Sequence, residues 1–523
     1  MKVVTTAQMR DLDRRTIAEF GVPGETLMDR AGMGVADAIQ RLADLRGTPA
    51  GDVYVFAGHG NNGGDAFAAA RYLWERGIRV ELWLAGSASD LDGDALAHFG
   101  RLIKSCDILL HELPAEAEWG RGIAERIGDT SILVDGLLGT GARGPARGTP
   151  AAAIRALNAI AIRVPVVAID VPSGLDADSG HAPGDAVQAD LTVTMGLPKT
   201  GLIEPRAVNL VGSLEVVDIG IPPELTGALV SEKDLITAQD LRALLGRRPR
   251  DAHKGAFGHL LIVSGASGYA GAVILAARAA LRSGTGLVTA LVPQAIAPVV
   301  AAGAPEAMVH AALQTDAGSL AANCMEAWGR DFGDFDAVLI GPGMTQQDDT
   351  RRLVERILGA VRSRLVVDAD ALNVLAGRGE IVRGCACPVI LTPHPGEMGR
   401  WLGRTTEEVQ KERLSSVRAA VRDTGAVVVL KGAGTLVSAP GRPLSTNMTG
   451  NPGMAKGGMG DILAGLIGGL AAQGLEPLEA ARLGVFVHGA AGDRCAWRAS
   501  QAGFTAGDVV AELPASFRAV SAR

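Results

Sequence analysis

Short apolar runs, each ending in glycine or an acid, alternate with stretches of helical periodicity along almost the whole 523-residue sequence. DVYVFAG (52–58), IRVELWL (78–84), ILVDGLLG (132–139) and VPVVAID (164–170) read as strands, and DAFAAARYLWERG (65–77) as the helix after the first of them. Strands joined through helices need crossover connections, so the alternation predicts a mostly parallel α/β sheet with helices on both faces and ligands beyond the carboxyl ends of the strands. Ahead of it, Thr5 and Gln8 have the spacing of a capping box that opens a helix through Met9, Leu12 and Ile17, and a second helix carries Leu27, Met28, Ala31, Val35 and Ile39. After SLEVVDIGIP (213–222), a further strand, comes a polar, proline-punctuated stretch, and then the alternation restarts. The predicted organisation is therefore two α/β domains, 1–225 and 226–523, with the boundary near 225–230.

Composition narrows the function. Glycine accounts for 69 residues, in clustered loops without a period, which suits turns that cradle ligands. The net charge of −7 and the 4% aromatic content leave neither a phosphate-tracking basic surface nor a base-stacking platform, so nucleic acid is not an expected partner. No run approaches the roughly 18 apolar residues that a membrane span requires, the longest being Ile462 to Ala472, and the N-terminus does not read as a secretory signal. No membrane association and a cytoplasmic location are the expectation. The five cysteines are scattered, and Cys385 and Cys387 lack a second pair, so zinc is not expected.

Chemistry concentrates at the strand ends. In the first half, GHGNNGGD (58–65) brings glycines to a helix start, where backbone amides can approach a pyrophosphate. It is not a GxGxxG fingerprint, so ordinary dinucleotide binding does not follow. Asp135 ends another strand before the glycine-rich 139–144, and Asp170 and Ser173 end a third. Amide, carboxylate and hydroxyl oxygens converging on one crevice suit a hard cation such as an alkali metal. Each residue alone would more often be a helix cap or turn residue.

NNGGD (61–65), VDGLLGTG (134–141), DVPSGLDADSG (170–180) and TMGLPKTGL (194–202) together resemble the NAD(P)H-hydrate epimerase family, which has a Rossmann-like three-layer αβα fold. The resemblance implies that Asn61, Asn62, Gly63, Gly64 and Asp65, with Gly139, Thr140, Gly141, Ala142, Arg143, Gly144, Pro145 and Asp170, hold the hydrated dinucleotide, and that Asn62, Asp135 and Ser173 coordinate K+. Ala66 stands where the family usually has a further glycine. Asp170 and Lys199 are the candidate acid–base groups, although a lysine at a position such as 199 is expected on the surface.

In the second half, MAKGGMGDILAG (454–465) packs glycines and Asp461 into the mouth of an apolar helix, where unpartnered amides and the helix dipole favour an anion. GPGM (341–344), LVVDAD (365–370), VILTPHPGEM (389–398) and VVVLKGAGT (427–435) end strands at Gly343, at Asp368 and Asp370, at His394 and Glu397, and at Lys431. His394 alone would more often be a satisfied buried histidine, and Lys431 a solvated strand end.

HKGAFG, SGYAGA, GPG, TPHPGE, LKGAGT and NPGMAKGG over about 253–510 resemble the ADP- or ATP-dependent NAD(P)H-hydrate dehydratases of the ribokinase-like αβα fold. Carried over by motif, Ala272, Gly343, His394 and Asp461 meet the hydrate, with Asp461 as catalytic base, while Lys431, Gly432, Ala433, Gly434, Thr435 and Gly460 meet the adenine nucleotide, accompanied by Mg2+. Met459 replaces the usual threonine or serine. The two halves then imply a bifunctional enzyme acting on NADHX and NADPHX: epimerisation of the R and S hydrates, and ADP- or ATP-dependent dehydration of the S hydrate. The apolar N-terminal helices and family analogy lead us to expect a homo-oligomer. A vitamin or sugar kinase, and a non-catalytic nucleotide-sensing first half, are the alternatives.

Overall fold

The computed structural model describes residues 1–521 other than 48, 50, 114–125 and 162, and it divides the chain into two compact units, Met1–Leu235 and Ile236–Arg523. The composition shift points to 225/226 instead.

In the first unit the strands are β1 (Val53–Ala57), β2 (Val80–Leu84), β3 (Leu109–Glu112), β4 (Ile132–Gly136), β5 (Val166–Ile169), β6 (Leu191–Met195) and β7 (Ser213–Val217). They pair in parallel in the order β3-β2-β1-β4-β5-β6-β7. This is the doubly wound Rossmann order with a strand added at one edge. Its topological switch point lies between β1 and β4, whose carboxyl ends carry the Asn62 and Asp135 segments. The capping box at Thr5 and Gln8 is formed and opens the helix Thr6–Phe20, burying Met9 and Leu12. Ile17 departs from the expected stripe and is 44% exposed, because Thr16 takes the inward position. Leu27, Met28, Ala31, Val35 and Ile39 all lie on the buried face of the helix Gly24–Arg46.

The helix after β1 spans Asn61–Glu75 and so begins at Asn61. Gly63 and Gly64, costly inside a helix, sit here in its first turn, where close packing needs them. A Cβ on Gly63 would lie 1.9 Å from the Gly58 carbonyl oxygen.

The second unit contains β8 (His259–Val263), β9 (Leu287–Pro293), β10 (Met308–Ala312), β11 (Ala337–Ile340), β12 (Arg364–Val367), β13 (Val389–Leu391), β14 (Val427–Leu430), β15 (Thr435–Ser438) and β16 (Leu444–Asn447). Their order is β10-β9-β8-β11-β12-β13-β14-β15-β16, parallel up to β14 and antiparallel from there. Alternate residues feed different cores: Leu260, Ile262, Leu339 and Val366 join the helices 459–472 and 477–498, whereas Leu261, Val263, Val338 and Val367 join the helix Asp348–Ala360. A sheet apolar on both faces is thus covered on both, as parallel sheets require. The arrangement is the ribokinase-like αβα one. Strand order reverses between β8 and β11. Among the described residues no helix is long and apolar enough to cross a membrane.

Candidate active sites

At the switch point of the first unit, Asn62 lies in the first turn of its helix and is 7% exposed. Its Nδ2 donates to the Leu138 carbonyl at 3.0 Å, while its buried Oδ1 has no hydrogen-bond partner among the described residues. Asp135, fully buried at the end of β4, accepts at Oδ1 from the Ser173 hydroxyl (2.6 Å) and the Leu137 amide (3.2 Å), and at Oδ2 from the Ser173 amide (2.8 Å). The Ser173 oxygen in turn accepts from the Leu138 amide at 2.8 Å. Burial pushes the Asp135 carboxyl up to about 6, against the hydrogen bonds from Ser173 and Leu137. An orphaned amide oxygen beside a buried acid is the donor chemistry of a site for a monovalent hard cation, which would satisfy the one and balance the other.

The segment 139–145 runs from this point along the surface, with Arg143 Nη1 3.8 Å from Asp176 Oδ2. Gly139 stays close to Asn62: a Cβ on it would lie 3.1 Å from that of Asn62.

Asp170 follows β5 with φ at +62°, a strained conformation for a residue with a side chain. The Asp170 Oδ1 accepts from Thr194 Oγ1 (3.0 Å), from the Met195 amide (3.2 Å) and from the Lys199 ammonium. Lys199 does not lie on the surface: it is 1% exposed and also donates to Thr194 Oγ1 and the Met195 carbonyl, each at 3.0 Å. A buried ammonium needs acids nearby. Asp65 and Asp13 supply two more: burial raises Asp65 well above the carboxylate range, Asp170 adding to the effect and Lys199 opposing it, and burial lifts Asp13 to about 6, again against Lys199. Asp13, on the first helix, carries a buried Oδ1 with no hydrogen-bond partner among the described residues and was not singled out by its motif context. Its i+1 position after buried Leu12 was the available signal.

In the second unit the switch-point loops meet. The Gly265 amide donates to the Pro342 carbonyl at 3.1 Å, and the Ser264 hydroxyl donates to the same oxygen. Gly343 has φ at +62°, and a Cβ on it would lie 2.8 Å from the Tyr269 Cβ and 3.4 Å from the Ala272 Cβ. Ala272 and Gly343 are therefore packed side by side as one small-residue surface. Nearby, the helix Met459–Ala472 starts from Gly458 in the left-handed conformation, which frees its first amides, and places Asp461 in the first turn. Met459 is 6% exposed and belongs to the core.

Two further strand ends and the start of the helix Met459–Ala472 converge on Lys431. Its Nζ lies 2.7 Å from Asp368 Oδ1 and 3.7 Å from Glu397 Oε2, and a Cβ on Gly460 would lie 3.4 Å from it. Lys431 and Gly460, predicted from separate motifs, are thus adjacent. Burial opposes the ammonium charge, but Asp368, Glu397 and Asp461 hold its pKa above normal. Burial, reinforced by Asp368 and opposed by Lys431, pushes Asp461 up to about 6. His394 caps the helix Pro395–Leu402: its Nδ1 accepts from the Gly396 amide (2.9 Å) and the Glu397 amide (3.3 Å). The proton therefore sits on Nε2, 3.3 Å from Glu397 Oε1, and burial followed by Lys431 keeps the ring below its usual pKa. Among the described residues the amides of Gly432, Ala433 and Gly434 donate to no other backbone group, which leaves them available to an anion.

A family model described as NAD(P)H-hydrate dehydratase matches residues 260–515, and one described as YjeF-related protein N-terminus matches residues 24–201. The bifunctional NAD(P)H-hydrate repair enzyme of Moorella thermoacetica is 41% identical, with 98% of this chain and 96% of that protein covered. The enzyme of the same description from Escherichia coli K12 is 37% identical, with 88% and 84% covered. The crystal structure of an ADP/ATP-dependent NAD(P)H-hydrate dehydratase from Bacillus subtilis, co-crystallised with ATP/Mg2+, is 30% identical, covers 55% of this chain and 98% of its own, and superposes with a TM-score of 0.49.

Proposed function

The chain belongs to the family of bifunctional NAD(P)H-hydrate repair enzymes, and we propose that the two crevices at its switch points are the two active sites. The protein repairs hydrated NADH and NADPH, the N-terminal half epimerising the R and S hydrates and the C-terminal half dehydrating the S hydrate with a nucleotide as co-substrate. In our reading residues 1–225 carry the first activity and 226–523 the second.

In the dehydratase, Asp461 takes the proton of the C6 hydroxyl as that oxygen attacks the terminal phosphoryl group of ADP or ATP. The O–P bond forms as the bond to the nucleotide's bridging oxygen breaks, so a poor leaving group becomes a phosphate ester. The ring nitrogen lone pair then expels phosphate from C6, and loss of a C5 proton restores the reduced nicotinamide. The amides at the start of 459–472 and Lys431 would stabilise the charge on the transferring group. Residues 431–435 and Gly460 would hold the nucleotide, with Mg2+ neutralising its phosphates, and Ala272, Gly343 and His394 would shape the hydrate site. The contact between Lys431 and the Gly460 position, beside Asp461, carries this reading.

In the epimerase, residues 61–65, 139–145 and Asp170 would bind the dinucleotide. K+ held by Asn62, Asp135 and Ser173 would supply positive charge at the helix start. Asp170 and Lys199 are positioned to move a proton to and from the hydrate. Exposed Ile17, Phe20 and Met33 on the first two helices support self-association, and a cytoplasmic location fits the substrates.

The test supplies a mixture of both NADPH hydrate epimers with ADP or ATP and follows the reduced-nicotinamide absorbance. Complete recovery is expected. Recovery that halts with the R epimer untouched removes the epimerase, and a stable phosphorylated product would favour a kinase.

A further inference from the structure

Arg413 opens the helix Arg413–Thr424 and lies on its buried face with Ser416, Val417, Ala420 and Val421. It is 4% exposed, yet among the described residues its guanidinium meets amide and carbonyl oxygens and no carboxylate. Nη1 donates to Gln410 Oε1 at 2.9 Å and to the Lys431 carbonyl at 3.3 Å, and Nη2 donates to the carbonyls of Leu430 (3.2 Å), Lys431 (3.4 Å) and Gly434 (3.2 Å). Burying a cation without an acid is costly, and packing alone would be served by an apolar side chain. The three carbonyls flank the turn between β14 and β15, the segment read above as the nucleotide loop. A Cβ on Gly432, whose φ is +125°, would lie 3.1 Å from Nη1, so the guanidinium sits directly behind that turn.

The carbonyl and N–H of one peptide point in opposite directions. Drawing the Lys431 carbonyl towards Arg413 therefore turns the Gly432 N–H to the far side of the turn, and the bond to the Gly434 carbonyl fixes the other end. We propose that Arg413 is a positioning residue of the dehydratase: it aims the Gly432 amide at the phosphates of the adenine nucleotide, holds both ends of the 432–434 turn in place, and sets a positive charge behind it. A charge buried at this depth is screened little by salt, so it is felt by a polyphosphate on the other face of the loop. The inference rests on reading 431–435 as the nucleotide loop.

The experiment measures direct binding of ADP and ATP, together with kcat and KM for nucleotide and S hydrate, in the full chain and in Arg413→Met, Arg413→Lys and Gln410→Ala. The expected result is a rise in the nucleotide Kd of about tenfold or more in Arg413→Met, as for loss of hydrogen bonds from a charged donor, and a smaller rise in Arg413→Lys, with the hydrate KM within about twofold. Arg413→Lys, which keeps the charge, and Gln410→Ala, which removes one of the two acceptors of Nη1 and should raise the nucleotide Kd less than Arg413→Met, report even if the methionine variant does not fold. Unchanged nucleotide affinity in Arg413→Lys and Arg413→Met, or equal losses for nucleotide and hydrate, would overturn the inference. A parent enzyme that binds no adenine nucleotide would instead remove the underlying loop reading.

Discussion

The Lys199 ammonium is buried against the Asp170 carboxylate, and the Asp170 backbone sits at φ +62° to present it. With Asp65 and Asp13 also in its field, Lys199 is the positive centre of an acidic cluster. Replacing Lys199 with Met leaves these acids uncompensated. Epimerisation should fall by at least about two orders of magnitude, as for loss of a proton-transfer group, and the first unit should lose about 3 kcal/mol of stability. Dehydration of pure S hydrate should persist, because it occurs in the other unit. Epimer interconversion followed by chromatography, beside a melting curve, checks both parts.

Asp461 offers a prediction with two opposite signs. Its folded pKa of about 6 exceeds the ordinary carboxylate value of 3.8, so the folded state binds the proton more tightly than the unfolded one. The stability this contributes is present at low pH and is lost as pH rises through about 6, so at pH 8 the ionised carboxylate is a net cost. Asp461→Asn should abolish dehydration while stabilising the second unit by about 1–2 kcal/mol at pH 8, an effect that should vanish near pH 4. A variant that melts lower than the parent at pH 8 contradicts this account.

The same carboxyl must be ionised to accept a proton. The kcat/KM for the S hydrate should therefore drop about tenfold per unit below pH 6. A flat profile between pH 5 and 7.5, with nucleotide saturating, would assign the base elsewhere.

Gly343→Ala tests the small-residue surface. The new methyl would meet Tyr269 at 2.8 Å, on a backbone at φ +62° that costs about 1 kcal/mol with a Cβ. Hydrate KM should rise about tenfold or more through displacement of the reacting ring, while ADP and ATP affinities stay unchanged. Calorimetric titration of nucleotide alongside steady-state kinetics separates the two.

On the proposed reading, a monovalent cation seated at the Asn62 Oδ1, which has no hydrogen-bond partner among the described residues, should make epimerisation depend on that cation. Exchange of K+ for tetramethylammonium should slow the reaction, and Asn62→Ala should raise the half-saturating K+ concentration by about tenfold, the cost of one buried oxygen ligand. Rates indifferent to the cation would mean that Asp135 is balanced by its hydrogen bonds alone.

The strand ends were legible because each apolar run is cut by glycine, proline or an acid, and doubly wound sheets gather such ends at one edge; Lys431 was readable as a strand end, whereas its pairing with Gly460, at a helix start, came from the family resemblance. Lys199 was named as a candidate acid–base group, but its burial was not legible: in TMGLPKTGL it has the surroundings of a loop lysine, and its partner Asp170 is distant in sequence. The helix at Asn61 begins ahead of the reading at Asp65 because glycine propensity argues against helix, whereas a first turn packed against Gly58 requires it. Arg413 was readable in principle, since it shares the inward stripe of Val417, Ala420 and Val421, but a basic residue in an otherwise polar stretch is ordinarily assigned to solvent.

Ala66, which interrupts the glycine run of the epimerase motif, has its methyl group turned towards the sheet. A Cβ built on Gly136 of β4 would lie 2.6 Å from it. The two positions compete for one methyl-sized space, so the helix can carry alanine here provided that the strand carries glycine. Swapping them, Ala66→Gly with Gly136→Ala, should be tolerated as a pair, whereas Gly136→Ala alone should force helix and strand apart. A bare backbone after the aspartate is then one of two interchangeable ways of bringing the helix down onto the strand.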